Sequence, residues 1–371
     1  MIIGIPKEVK NNEARVGLIP GHVETLCKRG HRVVVESGAG SQIGFSDALY
    51  EEAGAEIMGG AKLVYDQAEM IVKVKEPQPE ECALLHEDQI LFTYLHLAPD
   101  PIQTQALIES GAICIAYETV TGQNGSLPLL SPMSEVAGRM SIQAAATHLE
   151  KSKGGAGLLL AGVPGVAPAK VCILGAGVVG RNALQMAVGM GADVSILDRD
   201  LERLRQIDFM YSNRVRTLFS DAMAIKNELQ QADVIIGAVL LPGAAAPKLV
   251  THDLLSKMKR GSVVVDVAID QGGCFETSKP TTHANPSYEV DGVIHYCVAN
   301  MPGAVARTST FALTNATYPF VEALANLGAN SALRAYESLR NGLSIHRGKL
   351  TSAPVASAQN LEFIPAEAVL A

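Results

Sequence analysis

Basic residues are in short supply in this 371-residue chain: 30 Lys and Arg stand against 38 Asp and Glu, a formal net charge of −8. That balance excludes the clustered cationic footprint that binding to a phosphate backbone requires, so no nucleic-acid partner is expected. A long unbroken apolar run is also missing. The most apolar stretch, residues 154–180, is interrupted by Pro164, Pro168 and Lys170 and crowded with glycine, which excludes a bilayer-spanning helix. No membrane association is expected. The opening MIIGIPKEVKNNEARV carries neither the basic leader nor the apolar core of a secretion signal, which points to a cytoplasmic location. The six cysteines (Cys27, Cys82, Cys114, Cys172, Cys274 and Cys297) form no Cys-x-x-Cys pair and have no histidines at metal spacing. Neither a disulfide framework nor a metal site is predicted, and the thiols are expected to be reduced and mostly buried.

What the chain does have is apolar residues (48%), glycine (34 residues) and length, which together suit a compact α/β protein of two domains. Short β-branched runs at residues 2–5, 32–36, 70–75, 89–94 and 112–117 alternate with helical stretches at 21–29 and 101–109, the pattern of crossover units on a mainly parallel sheet. A long helix is predicted over 135–151, after the N-terminal signals Ser131, Pro132 and Ser134. A Gly- and Pro-rich segment follows, and then a second strand series at 171–174, 193–197, 215–219, 233–239, 262–268 and 294–298. Pro302 and Gly303 mark a break, after which residues 308 to about 345 read as helical. The predicted fold is α/β with two doubly wound parallel-sheet domains. The second is a Rossmann dinucleotide-binding domain over 135–304, and 305–371 return as helices to the first, 1–134.

The clearest local signal is GAGVVG, in which Gly175, Gly177 and Gly180 follow the strand VCIL and open a helix. The first glycine permits the turn, the second lets a pyrophosphate approach the backbone, and the third allows helix and strand to pack closely. The helix N-terminus then offers unpaired N–H groups to the phosphates. Asp198 ends the next strand, where a carboxylate accepts hydrogen bonds from an adenosine ribose and repels a 2′-phosphate, so NAD is predicted over NADP; Arg199 beside it is the counter-indication.

Four polar residues are candidates for chemistry. Taken singly, Arg15 reads as a solvated loop residue, Lys73 and Lys75 as one face of a solvated edge strand, and His96 equally as a structural residue or a catalyst. Asp270 is better placed, just beyond the strand SVVVDVA and before Gln271, Gly272 and Gly273, whereas the mid-strand Asp266 reads as structural.

Across nearly its whole length the chain resembles the alanine dehydrogenases, which are related to the nucleotide-binding part of transhydrogenases. The likeness rests on IPKEVKNNEARV, VKVKEP, YLHLA, SPMSEVAGRMS, LGAGVVG, VVVDVAIDQGG and NMPGAVARTSTFAL, with Gly17 standing where alanine is expected. The resemblance implies that Arg15 and Lys75 bind substrate and that His96 and Asp270 are catalytic. It implies an NAD site from Ser134, Gly175, Gly177, Val178, Val179, Gly180, Asp198, Arg203, Ser220, Val239, Leu240, Val267, Ala268, Ile269, Asp270, Val298, Ala299, Asn300 and Met301. It further implies L-alanine, pyruvate and ammonia as the small-molecule partners and a homohexamer; the order of these residues along the chain divides the catalytic groups between the two domains. The alternatives are a soluble relative of the transhydrogenase nucleotide-binding part, a saccharopine-dehydrogenase-like enzyme, and an NAD-binding sensor without turnover.

Overall fold

A computed structural model describes residues 1–122, 125–239 and 246–371. It divides into one unit of Met1–Met133 with Val305–Ala371 and another of Ser134–Ala304. Among the described residues no helix is long and apolar enough to cross a membrane.

The first unit is built on β1 (Ile2–Ile5), β2 (Arg32–Glu36), β3 (Glu56–Met58), β4 (Met70–Val72), β5 (Ile90–Thr93) and β6 (Ile113–Ala116), arranged β3-β2-β1-β4-β5-β6. All these pairings are parallel. Helices cover both faces, which is why the strands are unbroken apolar runs rather than alternating ones: Val33, Val34 and Val35 are fully buried, as are Met70, Ile71 and Val72. The crossover helix Pro101–Ser110 shows how local signals fix its ends. Asp100 accepts the Gln103 N–H, Pro101 occupies the first turn, and Gly111 closes the helix at φ 70°. Strand order reverses between β1 and β4, so the chain leaving their carboxyl ends flanks the crevice where open α/β sheets bind ligands.

The second unit repeats this order with β7 (Lys170–Leu174), β8 (Asp193–Asp198), β9 (Val215–Phe219), β10 (Val234–Gly237), β11 (Val263–Asp266), β12 (Ser287–Val290) and β13 (Val293–Tyr296), arranged β9-β8-β7-β10-β11-β13-β12. Only β12 is antiparallel, joined to β13 through Asp291 and Gly292, both at positive φ as a tight hairpin turn demands. Here the order reverses between β7 and β10.

Three features depart from the sequence-based expectations. The long helix spans Ser131–His148, so Ser131, Pro132 and Ser134 are its first turn rather than its preface; proline fits there because a first-turn N–H has no intrahelical acceptor. The C-terminal return is helical through Ala306–Leu327, Ala329–Ala335 and Glu337–Arg340, but it ends in β14 (Leu343–His346) and β15 (Lys349–Leu350). β14 adds antiparallel to β6 and thereby covers what would be an open edge of the first sheet. β3 and β12 are further strands beyond the expected set.

Candidate active site

In the first unit the chain leaving β1 carries Arg15, the chain leaving β4 carries Lys75, and the chain leaving β5 carries His96. All three therefore lie at the carboxyl edge of the sheet, two of them at its switch point. Arg15 is not solvated: its side chain is 2% exposed and paired with Glu13, itself 1% exposed. Arg15 Nε and Nη2 donate to the two Glu13 oxygens at 2.6 and 2.5 Å, and Nη1 meets Met133 Sδ at 3.0 Å. Burial pushes the Glu13 carboxyl upward, but hydrogen bonds and charge from Arg15 outweigh it and hold the group below the ordinary glutamate value. The bidentate pair thus fixes the plane of a guanidinium that a flexible side chain would otherwise sweep through.

The two lysines part company. β4 is an interior strand between β1 and β5, not an edge, and it ends at Val72, so simple alternation no longer governs residues 73–75. Lys73 is wholly buried, with Glu81 at 2.6 Å and Glu8 at 3.2 Å. Lys75 is half-buried. Burial lowers its ammonium pKa below the ordinary lysine value; Glu76 opposes this, while Arg15 and Lys10 add to it. An electropositive corner in which lysine gives up its proton more readily than usual can hold an anion and donate a proton to an oxygen beside it.

His96 adopts φ 50°, sparsely populated for a residue with a side chain, and Glu118 holds it there. One Glu118 oxygen accepts the His96 N–H at 2.6 Å, both accept the Leu95 N–H at 3.2 Å, and His96 Nδ1 lies 3.9 Å from Glu118 Oε1. The imidazole stacks on Tyr94 with centroids 5.7 Å apart and planes 7° from parallel, leaving it 47% exposed. Tyr94 is buried, donates to the Leu129 carbonyl at 2.6 Å, and interacts electrostatically with Arg15. Arg15, Lys75 and His96 are thereby brought into one neighbourhood by partners that sequence reading passed over: Glu13, Tyr94 and Glu118. Only Glu13 had a local signal, an acid two positions from the arginine. Gly17 packs against the end of β4, where the alanine anticipated there would set its Cβ 2.3 Å from the Val72 carbonyl oxygen.

In the second unit the three fingerprint glycines do three different things. Gly175 has φ 104°, and a Cβ there would lie 2.7 Å from the Ala238 carbonyl oxygen. At Gly180 it would lie 1.8 Å from the Gly175 oxygen, so that glycine is a packing requirement. At Gly177, the N-cap of the helix Val178–Gly189, a Cβ would meet nothing within 4 Å. Space stands open over a helix N-terminus, which fits a pyrophosphate. Asp198 closes β8 and accepts N–H bonds from Ala176 at 2.5 Å and Asp200 at 2.8 Å, with Arg203 Nη1 3.9 Å away. Two of a carboxylate's roughly four acceptor positions are thus used by backbone. Arg199 is exposed, and it is Arg203 that approaches the carboxylate.

The other expected cofactor contacts fall at the carboxyl edge of this sheet. Ser220 follows β9 and donates its N–H to the Asp198 carbonyl at 3.0 Å. Val239, half-buried, follows β10; Leu240 lies outside the described residues. Val267, Ala268, Ile269 and Asp270 form the 3-10 turn Val267–Gln271 after β11, with Asp270 exposed. Val298 and Met301 are buried, Ala299 and Asn300 half-buried, and the Asn300 carbonyl accepts from His283 Nε2 at 3.1 Å. Ser134 is half-buried near the start of the long helix. Asp266 ends β11 rather than sitting in mid-strand, and it is fully buried. Its carboxylate accepts Cys274 N–H at 2.8 Å and Ser278 Oγ–H at 2.6 Å, which ties down the following loop. Among the described residues no cluster of His, Cys, Asp and Glu could hold a metal ion, and the six cysteines are free.

The chain and its fold have counterparts among known proteins. The chain is 59% identical over 370 residues, all of both proteins, to an alanine dehydrogenase of Halomonas elongata. A solved L-alanine dehydrogenase superposes with a TM-score of 0.95 at 51% identity, over 97% of this chain and 99% of that one. A transhydrogenase of Sinorhizobium meliloti superposes with a TM-score of 0.83 at 26% identity, over 94% of this chain and all of that one. Residues 4–137 match the family description "Alanine dehydrogenase/PNT, N-terminal domain" and residues 141–353 its C-terminal counterpart. With both halves matched in order and sequence identity sustained from end to end, the chain belongs to the alanine dehydrogenase/PNT family.

Proposed function

We propose that this protein is an L-alanine dehydrogenase, catalysing the reversible NAD-dependent oxidative deamination of L-alanine to pyruvate and ammonia. The observation that carries the reading is the cationic corner of Arg15 and Lys75 beside His96, in a chain 59% identical to an alanine dehydrogenase. In the reductive direction Arg15 holds the carboxylate of pyruvate. Lys75 donates a hydrogen bond to the carbonyl oxygen, which must leave as water once ammonia has added. His96 moves protons during that addition and dehydration, since an imidazole can act as both general acid and general base. Asp270, carried by the second unit, stabilises the cationic iminium. The cofactor, when bound, supplies or accepts the hydride. The glycine loop, Asp198 and the residues named with them hold that cofactor, and residues 1–134 with 305–371 form the substrate domain. The family resemblance supports a homohexamer working in the cytoplasm.

The test is NADH oxidation by the purified protein. Activity is expected only when pyruvate and ammonium are both present. Oxidation of NADH by a second nicotinamide nucleotide without either would favour the transhydrogenase-like alternative.

Cofactor choice rests on Asp198. NADH is expected to be strongly preferred over NADPH, and Asp198→Ala should narrow the ratio of kcat/KM values by tenfold or more, about 1.4 kcal/mol. Part of that change should come from poorer NADH use, because the Ala176 and Asp200 N–H groups lose their acceptor. Comparable use of both nucleotides by the unmodified enzyme would contradict the role given to Asp198.

A further inference from the structure

Beneath the substrate corner lies a buried ionic cluster that the proposed chemistry does not use. Lys73 is wholly buried between Glu8, on the chain leaving β1, and Glu81, in the helix Pro79–Cys82. Two carboxylates and one ammonium out of water are costly, and apolar residues of similar volume would serve packing at least as well. What apolar residues could not do is accept hydrogen bonds from the main chain. Residues 73–75 run on past the end of β4 and are bonded on one side to the end of β5 and the residue after it: Lys73 N–H to the Phe92 carbonyl at 3.2 Å, Tyr94 N–H to the Val74 carbonyl at 3.3 Å, and Thr93 Oγ to the Lys75 carbonyl at 2.9 Å. On the other side β1 has already ended at Ile5, so no strand carbonyl is there to receive the next N–H groups. Glu8 takes that place. Its Oε1 accepts the Val74 N–H at 2.7 Å, and its Oε2 accepts both the Lys75 N–H at 3.4 Å and the Lys73 ammonium at 3.2 Å.

We infer that Glu8 is a positioning residue for the substrate site: its carboxylate, paired with Lys73, acts as the missing strand edge that sets the backbone from which Lys75 reaches substrate. Glu81 has a different place in the cluster. It touches Lys73, Tyr65 and its own helix start at Gln78, and its carboxylate makes no bond to the 73–75 main chain. The two carboxylates therefore share a counter-ion and differ in the one respect that matters. This inference rests on the substrate-binding role proposed for Lys75.

The contrast supplies the experiment, done on the full-length protein with three variants: Glu8→Gln, Glu81→Gln and Lys75→Met. Each is measured for pyruvate KM at saturating NADH and ammonium, for NADH binding by fluorescence, and for melting temperature. Glu8→Gln replaces one acceptor oxygen with an NH2 group, so whichever way the amide turns a donor faces a donor, either the Val74 N–H or the Lys75 N–H and Lys73 ammonium, and it should raise pyruvate KM at least about tenfold, the scale of a lost hydrogen bond to a charged group. Glu81→Gln removes the same charge from the same cluster and should change that KM by less than about twofold. NADH binding should be unchanged in both. Equal effects of the two substitutions on pyruvate KM, or none from Glu8→Gln while Lys75→Met is severely impaired, would overturn the inference and leave the cluster a matter of stability. If Lys75→Met itself keeps a normal pyruvate KM, the role of Lys75 fails and the inference falls with it. Should Glu8→Gln not fold, Glu8→Asp replaces it under the same criteria, since the shorter acid keeps the charge but cannot reach both N–H groups.

Discussion

Asp270→Asn is expected to lower turnover by a factor of about 10² to 10³ while leaving NADH affinity within about threefold, the range found when one electrostatic stabiliser of a developing charge is removed. The reason is the division of labour within the second unit. Asp270 sits exposed in the turn after β11, whereas the nucleotide is proposed to rest on the glycine loop after β7 and on Asp198 at the end of β8. Asparagine keeps the size of the side chain but not its charge, so the iminium loses its counter-ion and the adenosine half loses nothing. Turnover and NADH binding measured on the same folded preparation decide the matter. Near-normal turnover would take Asp270 out of the mechanism. Asp266, the rival acid, could not take its place, because it is fully buried and already engaged by Cys274 and Ser278.

The second large effect is expected at Glu13. Arg15 and Glu13 are almost completely withdrawn from water, and removing one partner of such a pair leaves an uncompensated buried charge, at a cost of about 3–5 kcal/mol. Glu13→Ala should therefore lower the melting temperature by roughly ten degrees and raise pyruvate KM steeply, because the guanidinium is no longer held in its plane. The pH dependence has a definite sign. The folded-state carboxyl of Glu13 lies below its ordinary value, so the contribution of the pair is fully present above that ordinary value and is lost as pH falls through the depressed one. The gap in melting temperature between the parent and Glu13→Ala should stay constant through neutral pH and shrink only as pH falls below the ordinary carboxylate range. A melting temperature unchanged at pH 7 would show that the pair contributes nothing net.

Much of the architecture is legible because it is locally encoded. Residues 2–5 and 32–36 are read as strands with the bounds the structure gives them, since in a sheet covered on both faces a strand is simply a short apolar run between breakers; the edge strand 215–219 also keeps its bounds, though only Val215 in it is buried. The glycine loop is equally local: Gly175 and Gly180 are required by backbone atoms of the same strand–turn–helix unit or the neighbouring strand, while Gly177 leaves open space over the helix N-terminus. The strands beyond the expected set are those whose pairing comes from elsewhere. β3 is three residues long and only partly buried; β14 follows a helical stretch and gains its identity from β6, more than two hundred residues earlier in the chain. β12 had a signal, the Asp291–Gly292 turn, which a search for parallel crossovers passes over.

The substrate site is less legible, for a related reason. Taken alone, Arg15 and Lys73 look like solvated cations, because nothing in a local window reports that β4 is a central strand. The charges that make their burial tolerable are only partly local. Glu13 is two residues from Arg15, and Glu81 eight from Lys73, but Glu8 is 65 residues from Lys73 and Glu118 is 22 from His96. Residue type and family resemblance identify candidate groups; the carboxylates that hold them in place emerge only once the chain is folded.

The most direct test of the central claim follows the atoms. Purified protein is incubated with pyruvate, isotopically labelled ammonium and NADH, and the product is identified by nuclear magnetic resonance. The proposed activity requires labelled L-alanine to form in a one-to-one ratio with NADH consumed; NADH oxidation that yields no labelled amino acid, or yields it from a branched-chain oxo acid in preference to pyruvate, would contradict it.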